Sequence, residues 1–501
     1  MIQSKKNYIL SLYFGYHDSS VTYSSRNSIL LHLEAERYFR RKHMKVNAQQ
    51  MMELIEVGLL HLGLDIDDFS TLYIARWNNK FPSRNITVLG KMFSPILTSH
   101  HENHIGCVYP SRFEKSLIVC ADGGSEDGTT KFYLQDEKGI RLLADYDDEI
   151  ITGKFYGTIT QMIIHPHVGR AHDTYPGKTM GLAACGNYSH EFQQLLEEHW
   201  QEINRLHKGG VDRLLDVFGL SSDYEQPWLD QRRKDLAFTA QEFWQKAFWD
   251  RVSEYASLSD NVCLVGGCAM NVLLNSAIAD AGVFKKVYVS PVSSDSGQSL
   301  GAILFHHPEI ECKYPYLGRG FGEVAQVPEE LLKDILAHRI VAWYQGRSEI
   351  GPRALGHRSF LGLPDSLKMK VKLSEEVKKR ESYRPVAPIL PEQYLEEFFR
   401  TEQLSPYMTF APRVEDITAR LAPAIVHSDG TSRIQTLAET DNPVLHDLLV
   451  AVKNETGVPI LMNSSLNLRG EPIVDIPEDA RATFWASKAD VLYVNGKRYV
   501  K

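Results

Sequence analysis

The stretch YILSLYFGYHDSSVTYSS (8–25) reads as an apolar strand, a tight polar turn and a second strand. The same order returns in SLIVCADGGSEDGTTKFYLQ (116–135). Each stretch carries an acid at its turn, Asp18 in the first and Asp122 in the second. Apolar runs on both sides of a turn are typical of β-hairpins, so the sequence predicts two related hairpins in one chain.

A third apolar run, NVCLV (261–265), leads directly into GGCAMNVLLNSAIADAG (266–282), a glycine turn that opens a helix. Strands that alternate with helices favour an α/β fold. Together with the two hairpins, this unit predicts a duplicated fold with a nucleotide held between its halves. Glycine and proline become frequent at 311–330. We therefore predict a first domain over 1–325 and a smaller α/β domain over 326–501.

The second domain has its own pattern of elements. We predict a strand in IVAWYQGRS (340–348) and a helix over about 371–381. Further strands are expected in RPVAPIL (384–390) and VPILMNSSLN (458–467), and a last helix from Pro477.

The overall numbers limit the class of protein. A chain of 501 residues is longer than one hydrophobic core usually serves. Its formal net charge of −8 argues against a broad nucleic-acid-binding surface, and no apolar run reaches the length of a membrane span. The apolar run near the N-terminus is interpreted as a first strand because it lacks a cleavage site. Six cysteines without any CxxC predict reduced thiols in a cytoplasmic protein.

The stretch SHHENHIG (99–106) is a candidate metal site. His100 and His104 are four residues apart, so on a helix they share one face. A pair of histidines alone is a weak indication in a chain with 19 histidines. Asp122 and Asp295 lie at predicted turns and could complete a site for a divalent iron, manganese or zinc ion. The alternative is that both acids serve only turns or helix N-caps.

Glycine-rich turns are candidates for nucleotide binding. Gly266 and Gly267 precede a helix, where backbone N–H groups favour phosphate, and Asn271 could contact a ribose or base. Lys178, between the glycines of GKTMGLAACG (177–186), is a plausible phosphate contact or a solvated loop lysine. None of these segments matches GxGxxG or a Walker loop.

Arginines stand among glycine, proline and serine in the second domain. Arg347, Arg353 and Arg358 occur in GRSEIGPRALGHRSFLG (346–362), followed by KKRESYRPVAPIL (378–390) and HSDGTSRIQTL (427–437). This spacing is typical of guanidinium groups that bind an anion, with salt bridges between domains as the alternative. Other candidate anion contacts in this domain are Lys378, Arg380, Arg384, Arg433, Asn463, Ser464 and Ser465.

In this order the motifs resemble the NodU/CmcH-type O-carbamoyltransferase family over nearly the whole chain. The resemblance rests on YHDSS (16–20), EAERYFRRKH (34–43), SHHENH (99–104), ADGGSED (121–127) and the segments quoted above. It implies an actin/hexokinase-like first domain and a YrdC-like second domain. It also implies that ATP and carbamoyl phosphate form carbamoyl-adenylate, whose carbamoyl group passes to a hydroxyl of a small-molecule natural product.

The resemblance further implies roles for individual residues. His100, His104, Asp122 and Asp295 would bind a divalent metal, for which the family points to iron(II), with His101 as a rival ligand. His17, beside Asp18, would lie near the acceptor hydroxyl. A histidine with a pKa near neutrality can remove the hydroxyl proton, so His17 is the candidate base. Residues implied for carbamoyl phosphate are Arg353, Arg384, Arg433, Asn463 and Ser465.

Two other functions stay open at this point. One is a threonylcarbamoyl-type transferase acting on tRNA, which the lack of a strongly basic tract disfavours. The other is a non-catalytic nucleotide-binding relative. The sequence identifies neither the acceptor nor the oligomeric state, for which a homodimer is one option.

Overall fold

The structure is a computed structural model that describes residues 7–75, 85–147, 149–164, 176–206, 211–221 and 226–501. Two sheets of five strands form the first part of the chain, and one sheet of seven strands forms the second. In the described residues, no helix is both long enough and apolar enough to cross a membrane.

The first sheet contains the N-terminal hairpin. Its strand order is β3-β2-β1-β4-β7, with β1 to β3 antiparallel and both β4 and β7 parallel to β1. The strand β1 is buried on both faces, as its continuous apolar sequence predicts. The strand bounds, including a separate small hairpin of β5 and β6, are β1 Tyr8–Phe14, β2 Ser19–Ser24, β3 Ile29–Glu34, β4 Phe69–Ala75, β5 Ile86–Val88, β6 Lys91–Phe93 and β7 Ile96–Thr98.

The second sheet repeats the arrangement of the first. Its order is β10-β9-β8-β11-β12, again three antiparallel strands followed by two parallel ones. The bounds are β8 Ser116–Ser125, β9 Gly128–Asp136, β10 Gly139–Asp145, β11 Asn261–Val265 and β12 Lys286–Val289. The identical order confirms the predicted duplicated, actin/hexokinase-like fold.

Helices cover both sheets. The α10 helix packs on β1, β2 and β4 and also against α3, so it lies between the two halves. A large apolar core forms between the second sheet and its helices, with Trp244 and Phe155 among its buried side chains. The helix bounds in this part are α1 Ala35–Tyr38, α2 Ala48–Leu62, α3 His100–Gly106, α4 Gly153–Ile164, α5 Pro176–Ala183, α6 His190–Arg205, α7 Asp212–Val217, α8 Gln231–Glu254, α9 Val272–Asp280 and α10 Gln298–His306.

The last part of the chain is a smaller α/β unit. Its mixed sheet has the order β16-β15-β17-β14-β13-β18-β19. The strands are β13 Val341–Tyr344, β14 Arg358–Gly362, β15 Ala387–Pro391, β16 Gln435–Leu437, β17 Leu461–Ser465, β18 Val491–Val494 and β19 Lys497–Val500. The helices are α11 Glu329–Leu336, α12 Leu367–Val371, α13 Leu395–Phe398, α14 Asp416–Leu421, α15 Pro443–Thr456 and α16 Pro477–Ala486. The division at 325/326 stays a prediction.

Two predicted bounds in this unit are wrong. The helix expected over 371–381 begins at Leu367, widens into a π-turn over Lys372–Val377 and ends there. Lys379 has a φ of 51°, which a continuing helix does not allow. The strand expected over 340–348 stops at Tyr344, and Gly346 turns the chain away with a φ of 51°.

Candidate functional site

Four predicted metal-binding side chains converge between the two halves of the duplicated fold. His100 and His104 lie one turn apart on α3, and their Nε2 atoms are 3.1 Å apart. Oδ2 of Asp122, on β8, lies 3.1 Å and 3.0 Å from these two nitrogens. Oδ1 of Asp295, in the turn before α10, lies 3.3 Å and 3.6 Å from them. Residues far apart in the sequence therefore present two nitrogens and two oxygens to one point.

The chemistry of this cluster fits a cation. Both histidines are 1 % exposed, and within the described part of the chain neither Nδ1 atom has a hydrogen-bond partner. Burial lowers the pKa of His100, but Asp295 and Asp122 outweigh it and raise that pKa to about 10. The cluster thus favours positive charge strongly, and two imidazoles with two carboxylates suit a divalent transition metal. His101 points elsewhere, with its Nδ1 3.4 Å from the Tyr133 hydroxyl.

A second polar group lies beside this cluster. His17 Nδ1 is 2.8 Å from Oδ2 of Asp18, and Nδ1 of His43 is 3.5 Å from the other oxygen. Burial raises the pKa of Asp18, but the hydrogen bond with His17 and the contact with His43 outweigh it and lower that pKa. His17 Nε2 is 3.8 Å from Oδ2 of Asp295. The base candidate therefore lies at the edge of the metal-ligand cluster.

A cavity of about 680 Å³ opens over both groups. His17, Asp18, Asp122 and Asp295 line it at one side. Another part of the wall is formed by Tyr156, Trp244, Cys268 and Met270, which are mainly apolar or aromatic, and which the sequence did not single out. The wall therefore has one charged part and one apolar part.

The residues predicted for nucleotide binding are distributed unevenly around this cavity. Gly267, Asn271 and Lys178 line it. Asn271 caps α9 by accepting hydrogen bonds from the N–H groups of Leu273 and Leu274. Gly266 is not among the lining residues. Its φ is 88°, and a Cβ there would lie 2.2 Å from the carbonyl oxygen of Ala121, so this glycine permits close packing of two strands.

A smaller cavity of about 160 Å³ is lined mainly by residues of the second unit, together with Lys42 and parts of α5 and α9 from the first part. The candidate carbamoyl phosphate residues Arg353, Arg433, Asn463 and Ser465 are among them, and Arg384 lines both cavities. The side-chain amide of Asn463 donates to Ala354 O and Gln435 Oε1, and Ser465 donates to Asn467 Oδ1. The two cavities are neighbours and share part of their wall, whose side chains include Lys42, Pro352, Arg353, Arg380, Arg384 and Asn467.

The smaller cavity holds an excess of positive charge. Burial, followed by the neighbouring Arg384, lowers the pKa of Arg353 to about 10 and that of Arg380 to about 9. Burial and other arginines also lower the pKa of Arg433. Among the residues that the structure describes, no carboxylate forms an ion pair with Arg353, Arg380 or Arg433. Uncompensated guanidinium groups around a cavity suit an anionic ligand.

Two of the arginines singled out from the sequence do not face an anion. Arg358 is fully buried, donates to the carbonyls of Gln345 and Gly346, and stacks 3.7 Å from the centre of the Tyr344 ring. Arg347 donates to the carbonyls of Leu30 and Leu317. Both guanidinium groups donate to backbone carbonyls and so hold neighbouring loops together. The prediction that they bind an anion is wrong.

Sequence comparisons cover most of the chain. The family described as "Carbamoyltransferase N-terminus" matches residues 87–304, and "Carbamoyltransferase C-terminus" matches residues 332–501.

Curated relatives are similar over most of the chain. The nodulation protein NolO of Bradyrhizobium diazoefficiens is 32% identical, over 79% of this chain and 77% of the relative. NolNO of Sinorhizobium fredii is also 32% identical, and this chain spans 62% of its length. A 3'-hydroxymethylcephem-O-carbamoyltransferase of Amycolatopsis lactamdurans is 27% identical, over 92% of this chain and 94% of the relative.

Among solved structures, full-length HypF in its phosphate- and nucleotide-bound form is similar with 14% identity and a TM-score of 0.34. The similarity covers 61% of this chain and 56% of HypF.

Proposed function

Because the chain belongs to the carbamoyltransferase family, we propose that it is an ATP-dependent O-carbamoyltransferase. It uses ATP and carbamoyl phosphate to form carbamoyl-adenylate and transfers the carbamoyl group to a hydroxyl of a small-molecule natural product. The observation that supports the proposal is that the arginine-lined cavity shares part of its wall with the larger cavity, which His17, Asp122 and Asp295 line. A two-step reaction with a hydrolysable intermediate needs its two sites close together, so that the intermediate is kept from bulk water.

The first step belongs to the arginine-lined cavity. The phosphate of carbamoyl phosphate is not part of carbamoyl-adenylate. Water therefore first cleaves carbamoyl phosphate into carbamate and inorganic phosphate. A carbamate oxygen then attacks the α-phosphorus of ATP, and pyrophosphate leaves. Arg353, Arg384 and Arg433 hold the phosphate groups of both substrates, since each lines the smaller cavity. Asn463 and Ser465 add polar contacts at the end of β17.

The larger cavity receives the adenylate. Met270 and the edge of Tyr156 offer apolar surface to the adenine. Asn271 and the backbone at Gly267 lie within reach of the ribose and phosphate, and Lys178 adds a cation. The acceptor hydroxyl enters from the side where His17 and Asp18 line the cavity.

Transfer of the carbamoyl group takes place beside the candidate metal ligands His100, His104, Asp122 and Asp295. The acceptor oxygen attacks the carbamoyl carbon, the bond between that carbon and the AMP oxygen breaks, and the hydroxyl proton passes to His17. Asp18 fixes the ring of His17 through Nδ1, so that Nε2 takes the proton. A divalent metal, iron(II) by family resemblance with manganese or zinc as alternatives, would be held by His100, His104, Asp122 and Asp295. It supplies positive charge that polarises the carbamoyl group.

The proposal is tested with purified protein, Mg-ATP, carbamoyl phosphate and a divalent transition metal. Pyrophosphate release must require both ATP and carbamoyl phosphate. A panel of hydroxylated natural products, with 3'-hydroxymethylcephem as one member, is screened by mass spectrometry for the carbamate. No pyrophosphate under any metal would refute the proposal.

The Asp122→Asn variant separates the two steps. Asp122 is a candidate ligand in the larger cavity and is absent from the lining of the smaller one. We expect this variant to retain pyrophosphate release and to lose both metal and carbamoylated product.

A further inference from the structure

One buried carboxylate joins the two parts of the chain where the cavities meet. Glu381 is 7 % exposed, and its Oε1 accepts hydrogen bonds from Lys178 Nζ at 2.8 Å and from Arg469 at 3.2 Å. Its Oε2 lies 3.6 Å from Arg384. Lys178 belongs to α5 of the first part, whereas the two arginines belong to the second. A single side chain therefore holds together three cations from three separate segments.

Glu381 is a single carboxylate among several cationic side chains. Burial raises the pKa of Glu381, but the hydrogen bond from Lys178 and the charge of Arg384 outweigh it and lower that pKa. Of the described residues after position 325, Glu381 is the one carboxylate that lines the larger cavity. The charged side chains in the wall that the two cavities share are Lys42, Arg353, Arg380 and Arg384, so that wall is cationic.

We propose that Glu381 is a positioning residue that fastens Lys178 of α5 to Arg384 and Arg469 of the second part and so aligns the cationic wall between the two cavities for an anionic intermediate. The inference rests on the proposed function. With the three cations held in place, the adenylate phosphate passes from one set of cations to the next without entering bulk water. Without the Glu381 carboxylate, Lys178 loses this ionic link to Arg384 and Arg469, and carbamoyl-adenylate reaches water, which converts it to carbamate and AMP.

The test is the ratio of carbamoylated product to pyrophosphate. In Glu381→Gln the side chain keeps its shape but loses its charge. We expect pyrophosphate release near the wild-type rate and a roughly tenfold lower ratio, as for the loss of one charge-assisted hydrogen bond. Glu381→Asp keeps the charge on a shorter arm and should give an intermediate ratio, which also covers the case in which the glutamine variant does not fold.

Asp334→Asn is the matched control. Asp334 is another buried carboxylate that binds Arg498, Arg339 and Tyr493, and it lines neither cavity. This variant should lower the thermal midpoint and leave the ratio unchanged.

A folded Glu381→Gln protein with the wild-type ratio would overturn the inference. So would a loss of pyrophosphate release at an unchanged ratio, because Glu381 would then act in the first step. Wild-type protein that releases no pyrophosphate would instead refute the proposed function itself.

Discussion

Tyr13 on β1 donates a 2.6 Å hydrogen bond from its hydroxyl to Oδ2 of Asp295, a residue 282 positions further along the chain. The other oxygen of Asp295 is left facing His100 and His104. Burial, followed by the charge of Asp295, raises the pKa of Tyr13, so the phenol remains a donor. A strand of the first sheet thus fixes a candidate metal ligand beside the second sheet.

Tyr13→Phe should weaken metal binding. Second-sphere hydrogen bonds of this kind contribute about 10–100-fold to metal affinity. The measurement is calorimetric titration of metal into metal-stripped protein. Tyr23→Phe is the control, because Tyr23 is also fully buried and donates to the carbonyl of Ile55, away from the cluster. Equal metal affinity in the two variants would contradict the role of Tyr13.

The three neighbouring histidines should behave differently on substitution. His100→Ala and His104→Ala should lose bound metal and carbamoyl transfer together, since each removes a nitrogen from the cluster. His101→Ala should retain both, because the nearest partner of its ring is the Tyr133 hydroxyl. Elemental analysis of the purified variants measures bound metal. Metal loss in His101→Ala alone would show that a different face of α3 binds the ion.

Substitution of an arginine that binds substrate should affect activity, whereas substitution of an arginine that holds loops should affect stability. Arg433→Met should abolish pyrophosphate release and leave the free energy of unfolding unchanged or higher, because it removes a cation that lies among other cations. Arg358→Met should lower the free energy of unfolding by about 3 kcal/mol, since buried carbonyls lose their donor. Chemical denaturation and a pyrophosphate assay measure the two effects. Loss of stability in Arg433→Met together with loss of pyrophosphate release alone in Arg358→Met would contradict both assignments.

The pair of His43 and Asp18 should make stability depend on pH. Burial lowers the pKa of His43, but its contact with Asp18 outweighs this and raises that pKa. A raised histidine pKa stabilises the fold fully below the unfolded-state value of about 6.5, and the gain is lost as the pH rises through the folded-state value. His43→Gln should therefore cost more stability at acidic than at alkaline pH. Chemical denaturation of both proteins at acidic and at alkaline pH measures this cost. A loss of stability that grows as the pH rises would contradict the prediction.

Local sequence signals were sufficient for much of the fold and part of the site. Apolar runs around acidic turns are short-range patterns, and both hairpins formed as predicted. His100 and His104 needed only helical spacing to share a face. Asp295 could be suggested by its turn, but its approach to Asp122 depends on how the two halves of the fold meet.

Other features could not be read from neighbouring residues. Arg353 and Arg358 stand in the same glycine-rich segment, and only the tertiary structure directs one to a cavity and the other to backbone carbonyls. His43 was part of a quoted motif, yet its position beside Asp18 depends on the packing of the segment after α1. Glu381 stands among arginines and was not singled out from the sequence. Its contact with Lys178, 203 residues earlier, appears only in the folded chain.

The metal centre can be observed by anomalous X-ray diffraction from crystals of protein loaded with iron(II), manganese or zinc. We expect one strong peak at about 2.0–2.2 Å from Nε2 of His100 and His104 and from carboxylate oxygens of Asp122 and Asp295. It should face the larger cavity and disappear in Asp122→Asn. A metal bound elsewhere, with these four side chains still in direct contact at saturating metal, would contradict the site on which the proposed transfer depends.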